Sequence, residues 1–471
     1  MEKQSLKTFS EALFDFEKLE QKFDLPSWRI NNVYVWKLVR FKIFSEYTIA
    51  CGIGSDSHPE KKRLNKNKIR KTLDFVRHII FRNPFFFRKS GVTRIIIPHD
   101  RKRIINDKAV DPISYSAWSG KYNSTSVVLD KISPIDYREL KEFPSFFVIK
   151  KFSDFYKLFI KFKFSSKDIE IIGEIENYLK KTSKTEKSFM LKNKIQLSIE
   201  NFLAQKRIFK YYLSRINPSY LYLVVSYGKE SIIAAANELH IKTIEYQHGS
   251  LGRGHLGYDF KNWLFVPYFP EIILGFGNNW FIDVSIPEHV KVLPVGAPQL
   301  EASVNQSLKQ FIREKNLLLV FSQAPSMDQL TSALAEFCDN RPDWNIIVRP
   351  HPSESIDNLK QALERKMKNK TKRIIFDKST LLTDQAARAN VAFGVNSTAL
   401  LEALLCGCKV AILGTEAGGQ YFQKLIEEEA AFVVNDGKEL ASSIESLPKG
   451  SARDYFNKPV DDVILLVENK A

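Results

Sequence analysis

The sequence predicts an α/β protein: two Rossmann-like, doubly wound domains facing a central cleft, preceded by a helical basic N-terminal extension. Three observations predict it. Short runs of Val, Ile and Leu recur unbroken rather than alternating with polar residues, as in strands buried on both faces of a parallel sheet. These runs alternate with helix-period segments, in two successive series. Most of the Gly-rich and polar clusters follow directly on such a run, where the C-terminal ends of parallel strands open on a crevice that takes ligands. At 471 residues the chain is too long for one ordinary core and suits two.

Residues 1–90 are expected to be helical and basic. The start, MEKQSLKTFSEALFDFEKLEQ, is acidic and amphipathic and lacks the basic-then-apolar order of a signal peptide. In VWKLVRFKIFSEY a stripe of Val35, Leu38, Val39, Phe41 and Ile43 predicts a helix. The stretch KKRLNKNKIRKTLDFVRHIIFRNPFFFRK sets eleven Lys and Arg against Asp74 alone and mixes in Ile69, Leu73, Phe75 and Phe85–Phe87. Two readings stand for it: a helix lying in an anionic membrane interface, or one covering a domain with its charges solvated.

A first series of strands is expected at 94–98, 125–130, 145–152 (SFFVIKKF), 220–227, 241–247, 271–277 and 290–296. A long helix is expected over 183–216, and GKESIIAAANELH (228–240) makes a βαβ unit with its flanking runs. The first domain is thus set at 91–298 and a polar helical linker at 299–315. A second domain, 316–471, follows, with strands LLLVFSQ, WNIIVRPHP, RIIFDK, VAFGVN, KVAILG and FVVND separated by helical segments and DDVILLVEN as a closing helix.

Three strand-end clusters carry the chemistry. In GVNSTALLEALLCG the strand ends near Gly394, and Ser397 or Thr398 is placed to cap the next helix. Free amides there, with Asn396, can seat a diphosphate, and Glu402 can accept from a ribose diol. An ordinary capped αβ turn has the same pattern. In VRPHPSES, His351 is held between two prolines beside Arg349, and an imidazole can donate to a phosphate oxygen or protonate a leaving group. YQHGSLGRGHLGYDF spends four glycines and two histidines in fifteen residues. Gly249, Gly252, Gly254 and Gly257 let backbone approach closely, while Gln247, His248, Arg253 and His255 supply donors and Glu245 and Asp259 supply carboxylates. This loop has no helix after it and is not a dinucleotide fingerprint.

Taken together, QHG in the first series and RPHP and NSTALLEALLCGCKVAILG in the second resemble the GT-B-fold glycosyltransferases of bacterial surface polysaccharide synthesis. The likeness is to the capsule and lipopolysaccharide group, with its polysialyl- and Kdo-transferases and teichoic-acid glycerophosphotransferases, and it spans about residues 93–455. It implies a nucleotide-activated sugar donor whose phosphates meet His351, Ser397 and Thr398, with Glu402 on the ribose. It implies an acceptor-side His248, no cofactor and no metal, and a glycan or lipid-linked glycan as acceptor. The base is left among His248, Asp259, Glu245 and Asp111, since the paired-acid motif of the polysialyltransferases is missing.

The formal charge of +16 favours polyanionic partners without choosing among them. No nucleic-acid motif accompanies it, so a nucleic-acid-binding protein is the weaker alternative, and a UDP-N-acetylglucosamine 2-epimerase-like enzyme is the other. Cys51, Cys338, Cys406 and Cys408 have no zinc spacing and imply a reducing compartment. No run approaches the length of a spanning helix, so a cytoplasmic chain, peripheral on the inner membrane face, is expected.

Overall fold

The computed structural model describes residues 7–53, 76, 78–100, 102–105, 108–130, 144–323, 326–351, 354–367, 373–415 and 422–470. Strands are numbered in chain order. A short hairpin of β1 (Arg29–Ile30) and β2 (Val33–Tyr34) precedes the first sheet. That sheet comprises β3 (Arg94–Ile97), β6 (Ser126–Val128), β7 (Tyr220–Val224), β8 (Lys242–Tyr246), β9 (Ile272–Gly275) and β10 (Lys291–Pro294). All are parallel, in the order β10-β9-β8-β7-β3-β6. Between β3 and β6 the chain makes a second hairpin, β4 (Arg103–Ile105) with β5 (Lys108–Val110).

The second sheet is also parallel: β11 (Leu317–Phe321), β12 (Asn345–Arg349), β13 (Ile374–Phe376), β14 (Val391–Gly394), β15 (Lys409–Leu413) and β16 (Phe432–Val434). Its order, β13-β12-β11-β14-β15-β16, reverses direction between β11 and β14. The first sheet reverses between β3 and β7. At such switch points neighbouring crossovers leave on opposite faces and a crevice opens. The unbroken apolar strands behave as expected, since Ile95–Ile97, Leu221–Val224 and Leu317–Phe321 are buried throughout.

Four expectations need correction or completion. SFFVIKKF is not a strand but the start of the helix Phe146–Tyr156. Burial falls on Ser145, Val148, Ile149 and Ser153, a helical spacing that a short apolar run does not reveal. The helix expected over 183–216 runs Leu191–Ile216, because Ser183 ends the preceding helix and Lys184 and Met190 both take positive φ. The carboxylate of Glu176, in that preceding helix, accepts the amides of Phe189 and Leu191 and the Ser188 hydroxyl, supplying the cap the second helix lacks.

The helical N-terminal extension packs on the first domain. In Phe9–Lys22 and Val35–Ala50, the side chains of Leu13, Phe16, Leu19, Trp36, Val39 and Ile43 pack in one core with Leu256, Tyr258 and Phe260. Of the basic run 61–89, residues 61–75 and 77 lie outside the described residues. The expected linker is the helix Pro298–Gln310, held to the second domain by Ser307 on Thr383 and by Arg313 on the carbonyls of Cys406, Gly407 and Ala389. After the second sheet the chain returns: Trp280 donates to the Tyr455 carbonyl, and the helix Val463–Lys470 packs on the first sheet, with Arg94 paired to Glu468.

Candidate functional site

Both sets of expected residues lie at the switch points. On the first sheet His99 follows β3, Tyr227 follows β7 and His248 follows β8. The rings of His99 and His248 stack at 5.8 Å, and the Tyr227 hydroxyl lies 3.3 Å from His248 Nε2. Tyr227 is reached through an unusual turn. Val225 has φ 71°, in the left-handed region that a β-branched residue avoids at a cost of about 1–3 kcal/mol. The Lys229 ammonium, donating to the carbonyls of Val224 and Val225, holds that turn.

The opening of the glycine-rich loop is pinned by Gln247, whose amide donates to the Gly249 carbonyl and accepts from Phe276 N–H. Further on, Asp259 accepts the amides of Gly254 and Ser285, at 2.8 and 3.1 Å, and is nearly fully buried. Arg40 reaches in to donate to the carbonyls of Leu256 and Asp259. Of the four glycines only Gly254 has positive φ, and Gly257 passes so near Tyr227 that a Cβ would come within 2.7 Å of that ring. His255 lies between Phe41 and the rings of Tyr227 and Tyr258, and this burial lowers its pKa. Arg253 is exposed.

Two other carboxylates behave differently. Asp111 is buried and accepts from the amides of His99, Ile113 and Ser114 and from the Ser114 hydroxyl, so it braces the β3 end. Glu245 is wholly buried on β8, where Oε1 accepts from the Ser226 amide and the Tyr258 hydroxyl. Burial raises its pKa against the pull of those two hydrogen bonds.

On the second sheet the same strand ends gather Ser322 and Gln323 after β11, Arg349 at the end of β12 and His351 just past it, Asp377 after β13 and Asn396–Thr398 after β14. Gln323 Oε1 accepts the Asn396 amide at 3.3 Å, bridging the switch point. Glu354 Oε2 accepts both the His351 amide, at 2.8 Å, and the Ser322 hydroxyl, at 2.6 Å. Arg349 donates to the Thr380 carbonyl and Gln385. Burial lowers the Arg349 pKa, nearby Asp377 and Glu402 raise it, and Arg103, from the β4–β5 hairpin of the first domain, lowers it. Arg103 of the first domain thus lies near Arg349 of the second.

The cap differs from expectation. Thr398 holds the N-cap position without a side-chain bond, and the Ser397 hydroxyl instead accepts the Ala399 amide at 3.3 Å. The helix behind it, Ala399–Leu405, has only seven residues, so its dipole is short. Glu402 sits in its first turn.

Sequence reasoning missed Tyr227, His99, Arg103, Gln323 and Glu354. Gln323 and Tyr227 come within the short turns after apolar strands, a position signal that was readable. Among the described residues no three His, Cys, Asp or Glu converge to hold a metal ion, and all four cysteines are buried free thiols.

Two parallel α/β domains meeting at their strand ends define the GT-B class of fold. Within it, residues 320–417, which span β11 to β15, match the family described as capsule polysaccharide biosynthesis protein. No curated protein matches the chain. Among solved structures it is similar to UDP-GlcNAc 2-epimerase from Neisseria meningitidis, at 10% identity over 80% of this chain and 99% of that one, TM-score 0.45. It is similar to the Methanocaldococcus jannaschii UDP-GlcNAc 2-epimerase, at 12% identity over 80% and 99%, TM-score 0.47. It is similar also to Acinetobacter baumannii MurG, at 10% identity over 80% and 98%, TM-score 0.46. At such scores these likenesses carry no argument about chemistry.

Proposed function

We propose that the chain is a glycosyltransferase of capsule-type surface polysaccharide synthesis, moving a sugar from a nucleotide-activated donor to a glycan or lipid-linked glycan hydroxyl. The observation that carries this reading is that the capsule-family match falls on β11–β15, whose ends assemble Gln323, Arg349, His351 and Asn396–Thr398 at the switch point. In this reading the donor diphosphate lies on the loop amides of Ser397 and Thr398 and on His351, with the ribose toward Glu402.

The acceptor oxygen bonds to the anomeric carbon as the bond from that carbon to the diphosphate oxygen breaks. The nucleoside diphosphate leaves with the bonding pair. The acceptor proton passes to a first-domain base. His248 fills that role, since the Asp259 and Asp111 carboxylates are taken up by backbone amides and Glu245 is shut inside the sheet, bonded to the Ser226 amide and the Tyr258 hydroxyl. Tyr227 orients the imidazole. Closure of the cleft expels water that would hydrolyse the donor.

The test is a panel of nucleotide sugars screened by thermal shift, followed by transfer to glycan acceptors. The right donor, at a hundredfold its Kd, adds about 2.7 kcal/mol of stability. His351→Ala removes that shift while the unliganded midpoint holds. A new nucleotide-linked epimer formed from donor alone would transfer the reading to an epimerase, and no response to any nucleotide sugar would end it.

A further inference from the structure

The segment Phe146–Phe164 contains eight aromatic residues and five lysines against the single acid Asp154. Its helix buries Val148 and Ile149 beneath it and turns Phe152 and Phe155 outward, 41% and 63% exposed. The short helix that continues it, Lys157–Phe159, leaves Leu158 71% and Phe159 64% exposed. Phe85 packs edge-on against Phe152 and also meets Tyr211, so the exposed Phe86 beside it joins the same surface. The rings of Phe155 and Phe159 meet at 5.5 Å, and Tyr156 flanks Phe159 at 6.4 Å.

Scattered single apolar side chains are ordinary on a protein surface, whereas a contiguous aromatic ridge marks something that covers it. The charge around this ridge chooses the occupant. Lys150, Lys151, Lys161, Lys163 and Arg88 are exposed beside it, and within residues 146–164 the single acid, Asp154, is paired with Lys151 at 3.8 Å. A second copy of the chain would bring the same cations against these, which repels. Aromatic rings that enter the acyl boundary while lysines stay among anionic headgroups meet both requirements.

We propose that the face formed by Phe152–Phe159 and Phe85–Phe86 docks on an anionic lipid bilayer. No helix of the described residues is long and apolar enough to cross one, and docking needs none. The proposal does not depend on the chemistry of the cleft.

The test is cosedimentation of the full chain with vesicles of phosphatidylcholine, with and without one-third phosphatidylglycerol. The chain pellets with the anionic vesicles, less as salt rises, and not with the neutral ones. The triple variant Phe155→Ser, Leu158→Ser, Phe159→Ser loses about tenfold or more in vesicle affinity, at an unchanged thermal midpoint because these side chains are already exposed. Should that variant fold poorly, Lys161→Gln with Lys163→Gln tests the charge alone and weakens binding about threefold or more. Undiminished binding by both variants overturns the proposal. So does failure of the native chain to prefer anionic vesicles, or a native dimer that the triple variant converts to monomer without any vesicle binding.

Discussion

The guanidinium of Arg40 donates to the carbonyl of Asp259 at 2.7 Å and, through another nitrogen, pairs with Glu20 at 2.6 Å. One buried cation thus ties two N-terminal helices to the glycine-rich loop of the candidate acceptor side. Glu20 also accepts from the indole of Trp36, so all the charge in the cluster is bonded. Removing one member of such a pair leaves the other buried and uncompensated, at about 3–5 kcal/mol. Arg40→Met is expected to lose that much in a denaturant titration, and to lose transfer activity as the loop loosens. Deleting residues 7–53 is expected to leave the first domain aggregated rather than merely released from a membrane. A soluble, cooperatively folding truncation would show the helices to be an appendage.

The loop's glycines differ in what they tolerate. Gly249 and Gly252 have open space where a Cβ would go, so alanine there should cost little. At Gly257 the new methyl would press on the Tyr227 ring, whose hydroxyl lies by His248. Gly257→Ala is therefore expected to lower kcat by about tenfold to a hundredfold through a misplaced imidazole, with a smaller change in thermal midpoint. Equal activity in Gly252→Ala and Gly257→Ala would separate Tyr227 from the chemistry.

Glu245 makes stability depend on pH with a definite sign. In the fold its carboxyl holds its proton above the usual 4.5, because burial outweighs the hydrogen bonds to its other oxygen. The unfolded chain releases that proton near 4.5, so the folded state binds more protons above that pH. The stabilisation is complete below 4.5 and declines as pH climbs toward the raised value, by about 1.4 kcal/mol per pH unit. Lys37 works oppositely: burial depresses it, though Glu230 pulls it up, and its contribution is lost as pH falls. Glu245→Gln isolates the first effect. The variant is expected to gain on the native protein between pH 5 and 8 in denaturant midpoints, and a constant difference would mean the carboxyl is ionised throughout.

Buried thiols give a simpler reading. Burial raises Cys408 to about 11 and raises Cys406 as well, so neither is a thiolate at neutral pH. Both are expected to stay unlabelled by a thiol reagent in the native protein and to react fully once it is unfolded. Rapid native labelling would mean that the Ala399–Leu405 helix opens.

Much of this was legible because parallel sheets write themselves in unbroken apolar runs, and the ends of those runs locate His248, His351 and Asn396–Thr398 before any coordinate. SFFVIKKF misled because a short run rich in Phe, Val and Ile fits a buried strand and a helix face equally, and only the neighbours it packs against decide. Arg40 is one cation within VWKLVRFKIFSEY, and nothing local announces that its side chain will be buried against a loop more than two hundred residues away. The roles of Asp259 and Glu245 were equally hidden. Two carboxylates in one stretch of sequence differ because backbone amides meet the first and a closed sheet interior surrounds the second.

On the proposed donor side the residue with the largest expected effect for no direct contact is Glu354. One of its oxygens receives the His351 amide and the Ser322 hydroxyl together, so it fixes the end of β12 against the end of β11. Pro350 already limits the backbone there, and the carboxylate sets the remaining freedom. Hydrogen bonds to a charged acceptor contribute about 1.5–3 kcal/mol each, so Glu354→Ala should destabilise the second domain measurably. It should also weaken donor binding by about tenfold to a hundredfold, as an imidazole displaced by an ångström would. Ser322→Ala removes one of the two bonds and is expected to fall between. If Glu354→Ala lowered the thermal midpoint yet kept the full donor-induced shift, the turn would be a structural brace only, and His351 would not be a phosphate ligand.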